Sequence, residues 1–148
     1  LVEQVERVTG LKDFGIYMNK VLTIDAMFLN EDRHTHNLAV LTNDKGDFKL
    51  SPIFDNGAGL MSDSTIEYPL TIEVINKISA VKSKTICDSF YEQLKASEKL
   101  YGNNLFFNYE HKQIKEIVDI ADNYSIEIKQ RVIDLLLETK RRYNYLFK

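Results

Sequence analysis

The stretch FLNEDRHTHNLAVL, residues 28–41, gathers polar side chains between two apolar runs. It holds two acidic residues, one arginine, two histidines and two asparagines. Before it, apolar residues from Phe14 to Phe28 recur at helical spacing, and Asp13 is a candidate N-cap. Leu22, Ala26 and Leu29 extend the apolar surface around this helix, so we predict that the helix is largely buried. The end of this buried helix is then expected to fix the position at which the polar loop begins.

Two short strands are predicted directly after this loop. The segments LAVLT (38–42) and DFKLSPIF (47–54) have strand character, and NDKG (43–46) between them suits a tight turn. We therefore predict a β-hairpin from Leu38 to Phe54. The following segment DNGAGLMSDS (55–64) is rich in glycine and small polar residues, which is typical of an irregular loop.

The other segments favour helices. A short first helix is predicted to end at a Gly10 C-cap, and a later one runs from Ser83 through Ile86, Phe90 and Leu94 to Gly102. Two more are predicted around residues 114–121 and from about Ser125 to the end of the chain. The stretch YPLTIEVINKISAV (68–81) fits strand and helix equally. The expected fold is mainly α with a small β-hairpin, in a single domain over residues 1–148.

Composition narrows the function classes. The net charge is −3, so we expect no direct nucleic-acid binding, and Lys140–Arg142 are assigned to complementing a helix dipole. Cys87 is the single cysteine, which rules out an intrachain disulfide, and we expect it to be buried and inert. No apolar run approaches the roughly 18 residues of a membrane span. We expect a cytoplasmic protein without membrane association.

Three oxygen-bearing side chains are predicted to converge beside the hairpin. Asp32 precedes Asn37 by five positions, and Asp55 follows the second strand. A hairpin returns the chain to its starting point, so Asp55 is expected near Asn37. Carboxylate and amide oxygens suit Mg²⁺. One carboxylate to orient a hydroxyl, with an Asn and an Asp to hold a metal, is the arrangement that phosphoryl transfer needs.

The string N-x-D-R-H-x-x-N, followed by L-S-P-I-F-D-N-G, resembles the HipA-like serine/threonine protein kinases. These are the toxin-side kinases of bacterial toxin–antitoxin modules. The resemblance covers Asn30 to Gly57, and the surrounding helices resemble a kinase C-terminal lobe. The order differs from the usual H-R-D, because Arg33 and His34 follow the aspartate. Phosphoinositide kinases also have a D-R-H-x-x-N loop, but their metal aspartate lies in D-F-G, whereas this chain has Asp55-Asn56-Gly57.

The resemblance implies a role for each residue of the motif. Asp32 would be the catalytic base, Asn37 and Asp55 the Mg²⁺ ligands, and Arg33 and His34 would brace the loop, with His34 partly buried. The implied cofactors are ATP and Mg²⁺, and the implied substrate is a Ser or Thr hydroxyl of a protein. A small DNA-binding antitoxin is an implied partner.

One part of a kinase is missing from this chain. The residues before Asn30 are predicted helical, so they offer neither a Gly-rich strand and loop nor a strand lysine for the phosphates. The N-terminal ATP-cradling lobe is thus absent, and we expect little phosphoryl transfer by the chain alone. It begins at Leu1, and we interpret it as an excised lobe, a truncated relative or part of a longer protein.

Two other functions remain open at this point. One is a non-catalytic kinase-like interaction module that binds a partner such as an antitoxin. The other is a divalent-metal hydrolase in which His34 and His36 join Asp32 and Asp55 as ligands. In the kinase interpretation His36 is a surface residue, so replacement of His36 separates the two chemistries.

Overall fold

Six helices and one hairpin make up the fold in a computed structural model that describes residues 1–148. The helices are α1 (Val2–Thr9), α2 (Phe14–Phe28), α3 (Val74–Lys77), α4 (Phe90–Tyr101), α5 (His111–Asp119) and α6 (Ile126–Arg142). The strands are β1 (Val40–Thr42) and β2 (Phe48–Leu50), and 3₁₀ turns span Thr35–Asn37 and Asn144–Leu146. The prediction of a mainly helical fold with a small antiparallel hairpin is confirmed.

Helix α2 is the centre of the molecule. Eleven of its 15 residues are buried, as predicted for a helix that is apolar on most sides. It packs against α4, α6 and α1. Near the start of α2, an added Cβ at Gly15 would lie 2.4 Å from Cε1 of the Tyr101 ring at the end of α4. At its other end, Ala26, Met27 and Leu29 belong to the main buried cluster, so the end of α2 is held by the core of the protein.

The hairpin packs on the first half of α2. Val40 pairs with Leu50, and Thr42 pairs with Phe48, around a turn in which Asn43 Oδ1 accepts two backbone N–H groups. The inward side chains pack against a buried cluster of α2, made up of Phe14, Tyr17, Met18 and Val21. The predicted hairpin extended from Leu38 to Phe54, but pairing stops at Leu50, because Pro52 has no N–H to donate.

The predicted helix from Ser83 begins later than expected. Helix α4 begins at Phe90, with the Ser89 hydroxyl accepting the Glu92 N–H at 3.2 Å as N-cap. Residues 83–89 are irregular, and Ile86 is 63% exposed rather than part of a helix face. Cys87 lies in this segment and is exposed, so the prediction of a buried thiol was wrong.

The C-terminal helices follow the predictions more closely. Ser125 caps α6 by accepting the Ile128 N–H, and the last turn of α6 contains the predicted basic residues. The ambiguous stretch 68–81 forms mostly irregular chain around the short α3. The main buried cluster lies where α2, α4, α5 and α6 meet, with Met61, Val74, Ile78 and Val81 added from the segment between the hairpin and α4. No helix combines the length and the apolarity required of a membrane span.

Candidate functional site

The polar loop begins where α2 ends, and its first residues are fixed by the helix. Leu29 has left-handed backbone geometry, with φ of 52°, which turns the chain out of the helix. The Asn30 N–H then donates to the Asp25 carbonyl at 2.9 Å, and Asn30 Nδ2 donates to the Asp25 carboxylate at 2.9 Å. Asn30 is 1% exposed, and its Oδ1 is a buried acceptor without a hydrogen-bond partner. The first residue of the motif is thus part of the core.

Arg33 joins three separate parts of the chain. Its side chain is fully buried, and its Nε and Nη2 donate to the Asp25 carboxylate of α2 at 3.1 and 3.0 Å. Nη1 donates to the carbonyl oxygens of Asn37 at 3.2 Å and Phe54 at 2.5 Å. Nη2 also donates to Asn56 Oδ1 at 2.5 Å. One guanidinium group therefore holds the helix, the loop and the segment after the hairpin together.

The Asp25–Arg33 pair is a buried charge pair. Burial raises the pKa of the Asp25 carboxyl, and hydrogen bonds from Arg33 and Asn30 act in the opposite direction. The planar guanidinium matches the carboxylate with two nitrogen atoms, which is the geometry that makes such a pair tolerable in the interior. The resemblance predicted a bracing role for Arg33, and these contacts support that role.

Asn37 is oriented by the loop itself. The residue is 6% exposed, and its Nδ2 donates to the carbonyl of Asp32 at 3.0 Å, across the 3₁₀ turn. This hydrogen bond uses the amide nitrogen and leaves Oδ1 without a hydrogen bond from the protein. An oriented and available amide oxygen is a suitable ligand for a hard cation.

Asp55 lies between two residues that Arg33 holds. The carbonyl of Phe54 and the side chain of Asn56 both accept hydrogen bonds from the guanidinium that also binds the Asn37 carbonyl. The segments that contain Asn37 and Asp55 are therefore brought together, as the hairpin predicted. Asp55 is exposed and has a positive φ of 54°. That backbone geometry is rare for a residue other than glycine, and strained residues concentrate at functional sites.

A second contact fixes the segment after Asp55 against the end of α2. The Leu60 N–H donates to the Phe28 carbonyl at 2.6 Å. A Cβ at Gly59 would lie 3.1 Å from the same carbonyl and 3.3 Å from the Asn56 carbonyl. Only glycine permits this approach without displacement of the backbone. The loop after the hairpin is thus held against the last residue of α2.

Asp32 remains accessible at the surface of the loop. Its side chain is 57% exposed, and the nearest basic group is His34, whose Nε2 lies 4.0 Å from Asp32 Oδ2. The prediction that His34 is a partly buried brace was wrong, since its side chain is 47% exposed and makes no hydrogen bond. The buried Arg33 has already taken the interior position, so its neighbour in the chain points outward. His36 is exposed as expected.

The histidines do not assemble a metal centre with the aspartates. The rings of His34 and His36 lie edge to face, with their centroids 5.4 Å apart. No group of three or more His, Cys, Asp or Glu side chains is placed to hold a metal ion. The hydrolase alternative therefore has no support from the geometry. This finding does not concern a site made of one amide and one or two carboxylates, such as Asn37 with Asp55, because asparagine is not among those residue types.

Three supporting residues were not predicted from the sequence. The sequence placed Asp25 in the buried helix without a role. An acidic residue within an apolar helix indicates that a buried cation or donor pairs with it, and here that partner is Arg33. Asn56 orients Arg33. Glu31 accepts a hydrogen bond from the Tyr68 hydroxyl at 2.8 Å, which connects the loop to the chain beyond Asp55. Burial raises the pKa of Glu31.

Comparison of the chain with protein-family models, with curated proteins and with solved structures found no significant match.

Proposed function

We propose that loop 30–37 and segment 54–57 form the catalytic loop and metal-binding segment of a Mg²⁺–ATP-dependent phosphotransferase. The single observation that supports this best is the Arg33 guanidinium, which binds the Asn37 carbonyl and both neighbours of Asp55. The structural consequence of a buried arginine in this position is that the backbone of Asn37 is held beside the segment that contains Asp55. Phosphoryl transfer depends mainly on such positioning.

Each of the three site residues has a distinct task in this proposal. The exposed Asp32 carboxylate accepts a hydrogen bond from the acceptor hydroxyl and orients it. Asn37 Oδ1 and the Asp55 carboxylate would hold Mg²⁺, which suits their all-oxygen chemistry and would supply positive charge to neutralise the phosphates. Arg33 contacts no substrate and acts as a positioning residue.

The finer assignment is to the C-terminal lobe of a HipA-like serine/threonine protein kinase. It rests on the motif N-x-D-R-H-x-x-N and on the spacing to Asp55. A Ser or Thr hydroxyl of a protein as acceptor, and a toxin–antitoxin setting with an antitoxin partner, follow from that resemblance alone. Helices α1 and α2 cover residues 2–9 and 14–28, so this part of the chain has no strand and Gly-rich loop of the kind that cradles ATP phosphates in kinases.

Isothermal titration calorimetry with Mg²⁺–ATP tests the proposal, on this chain and on the longest parent protein that contains it. We expect binding by the parent that is lost in Asp55→Ala. The matched control is Asp44→Ala, which removes an exposed aspartate from the hairpin turn and leaves the fold and binding unchanged. A parent that shows no Mg²⁺-dependent ATP binding while its circular dichroism is native would refute the proposal.

A second measurement separates metal binding from ATP binding. Titration of the isolated chain with Mg²⁺, followed by amide NMR shifts, is expected to perturb loop 30–37 and segment 54–57. Asn37→Ala should abolish these shifts, whereas His36→Ala should leave them intact. Loss of the shifts in His36→Ala would instead favour a site with histidine ligands.

A further inference from the structure

A groove lies along one face of α6. It has a volume of about 760 Å³ and runs between α6 and the segment from Leu70 to Ile75. This groove shares no residue with loop 30–37 or with segment 54–57. Its lining is therefore distinct from the residues of the proposed phosphotransferase site, and the hydrogen bond from Tyr68 to Glu31 connects the wall of the groove to the loop.

The dimensions of the groove match one helix. Its α6 wall is a single stripe at helical spacing, made up of Ile126, Gln130, Asp134, Leu137, Glu138 and Arg141. From the first to the last of these residues the stripe is about 22 Å long, at roughly 1.5 Å per residue. A partner helix of about 15 residues, or four turns, would cover the stripe from end to end.

The groove exposes large apolar side chains that have no partner in the fold. Ile126 is 79% exposed at the start of α6, and Ile75 is 59% exposed on the opposite wall. Leu70, which also lines the groove, is 40% exposed. Contiguous exposed apolar residues with a polar rim are typical of protein interaction sites.

The free charge around these residues is acidic. Glu73, Glu127 and Asp134 line the groove, and no cation lies within the 4.0 Å of an ion pair from any of them. Glu138 is different, because it is paired with Arg141 at 2.7 Å. Glu127 and Asp134 lie on α6 and Glu73 lies on the opposite wall, so unpaired carboxylates face the groove from both sides and favour a cationic ligand.

The remaining cation of the groove is already bound elsewhere. Arg131 is 7% exposed, and its guanidinium donates to the backbone carbonyls of Tyr68, Pro69 and Ile72. These bonds attach the segment 68–72 to α6 and so build one wall of the groove. Burial lowers the pKa of Arg131. Its guanidinium keeps its positive charge, so the lining of the groove carries four carboxylates, of Glu73, Glu127, Asp134 and Glu138, against the two guanidinium groups of Arg131 and Arg141.

We propose that this groove binds a basic amphipathic helix of a partner protein. The apolar side chains of such a helix would cover Leu70, Ile75 and Ile126. Its Lys or Arg residues would lie opposite Glu73, Glu127 and Asp134. This mode of recognition is an amphipathic helix in an apolar groove, with charge deciding the partner.

Fluorescence anisotropy with a labelled synthetic peptide tests the groove. The probe is a 15-residue helix with leucine at i, i+3, i+4 and i+7 spacing and lysine at its flanks. We expect saturable binding that weakens about tenfold in Ile126→Asn, because one large apolar contact is lost. The matched control is Ile120→Asn, which removes an isoleucine that is equally exposed, at 78%, but lies outside the groove. It should change the affinity less than twofold.

Charge is tested with the same assay. A peptide with glutamate in place of lysine should not bind, and added salt should weaken the lysine peptide. The inference is overturned if the lysine peptide does not saturate, if a scrambled peptide binds equally well, or if Ile120→Asn weakens binding as much as Ile126→Asn. A concentration-dependent dimer in sedimentation that Ile126→Asn abolishes would assign the groove to a second copy of the chain instead. These outcomes do not depend on Mg²⁺–ATP binding.

Discussion

Replacement of Arg33 by methionine is the perturbation with the largest expected effect on the proposed site. Methionine keeps much of the length of the side chain but removes every donor. The Asp25 carboxylate, which is fully buried, then keeps only the hydrogen bond from Asn30. The carbonyls of Asn37 and Phe54 also lose their shared donor. Breaking a buried ion pair in this way costs about 4 kcal/mol.

That cost is a large part of the stability of a domain of this size, which is roughly 5–15 kcal/mol. We therefore expect the melting temperature of Arg33→Met to fall by about 10 °C. The assay is urea unfolding followed by circular dichroism, with thermal melting as a second measurement. Arg7→Met is the matched control, because Arg7 is exposed on α1 and makes no ion pair, and its effect should stay within about 0.5 kcal/mol.

Two further variants separate charge from geometry. In Asp25→Leu/Arg33→Met no unpaired charge remains, so the double variant should be more stable than Arg33→Met alone. Arg33→Lys keeps the charge but reaches fewer acceptors, and it should lie between the wild type and Arg33→Met. A loss below about 1 kcal/mol in Arg33→Met would refute the view that this guanidinium holds the site together.

The other predictions concern stability and accessibility. The Arg141 guanidinium lowers the pKa of Glu138 from 4.5 to about 2, so this pair stabilises the fold above pH 4.5 and the gain disappears as the pH falls towards 2. In Glu138→Gln the stability should change less over that range, by about 1 kcal/mol after allowance for solvent screening, as measured by unfolding at several pH values. Cys87 should react with a thiol reagent in the native protein about as fast as in urea, since it is exposed. Gly15→Ala should destabilise by about 1–2 kcal/mol in urea unfolding, because the new Cβ meets the Tyr101 ring, and this outweighs the gain in helix propensity.

The parts of the fold that sequence reasoning predicted are those with a local signal. Helix α2 was predictable because its apolar residues surround the cylinder, and the hairpin because a polar turn separates two strand-like runs. The start of α4 was missed because Ile86, Phe90 and Leu94 continue the same period across the true boundary. A local signal for that boundary exists in Ser89 and Glu92, which have the S-x-x-E spacing of a helix N-terminus.

The site itself was predictable only in its outline. The spacing of Asp32, Asn37 and Asp55 indicated which segments come together, since a hairpin returns the chain to its origin. It did not indicate what holds them, because the Asp25–Arg33 pair depends on how α2 turns into the loop. The resemblance implied that His34 braces the loop, and this role did not predict that the His34 side chain is exposed.

The pairing of Arg33 also decides the charge of the proposed site. An arginine that lies next to Asp32 in the sequence, and whose guanidinium binds both neighbours of Asp55, is in a position to pair with either carboxylate. Here Arg33 is satisfied by Asp25 from α2, on the opposite side of the loop, and by backbone carbonyls. Asp32 and Asp55 therefore lie at the surface without a lysine or arginine within 4.0 Å. A positioning arginine with its own buried counterion is what allows these carboxylates to remain available for a cation.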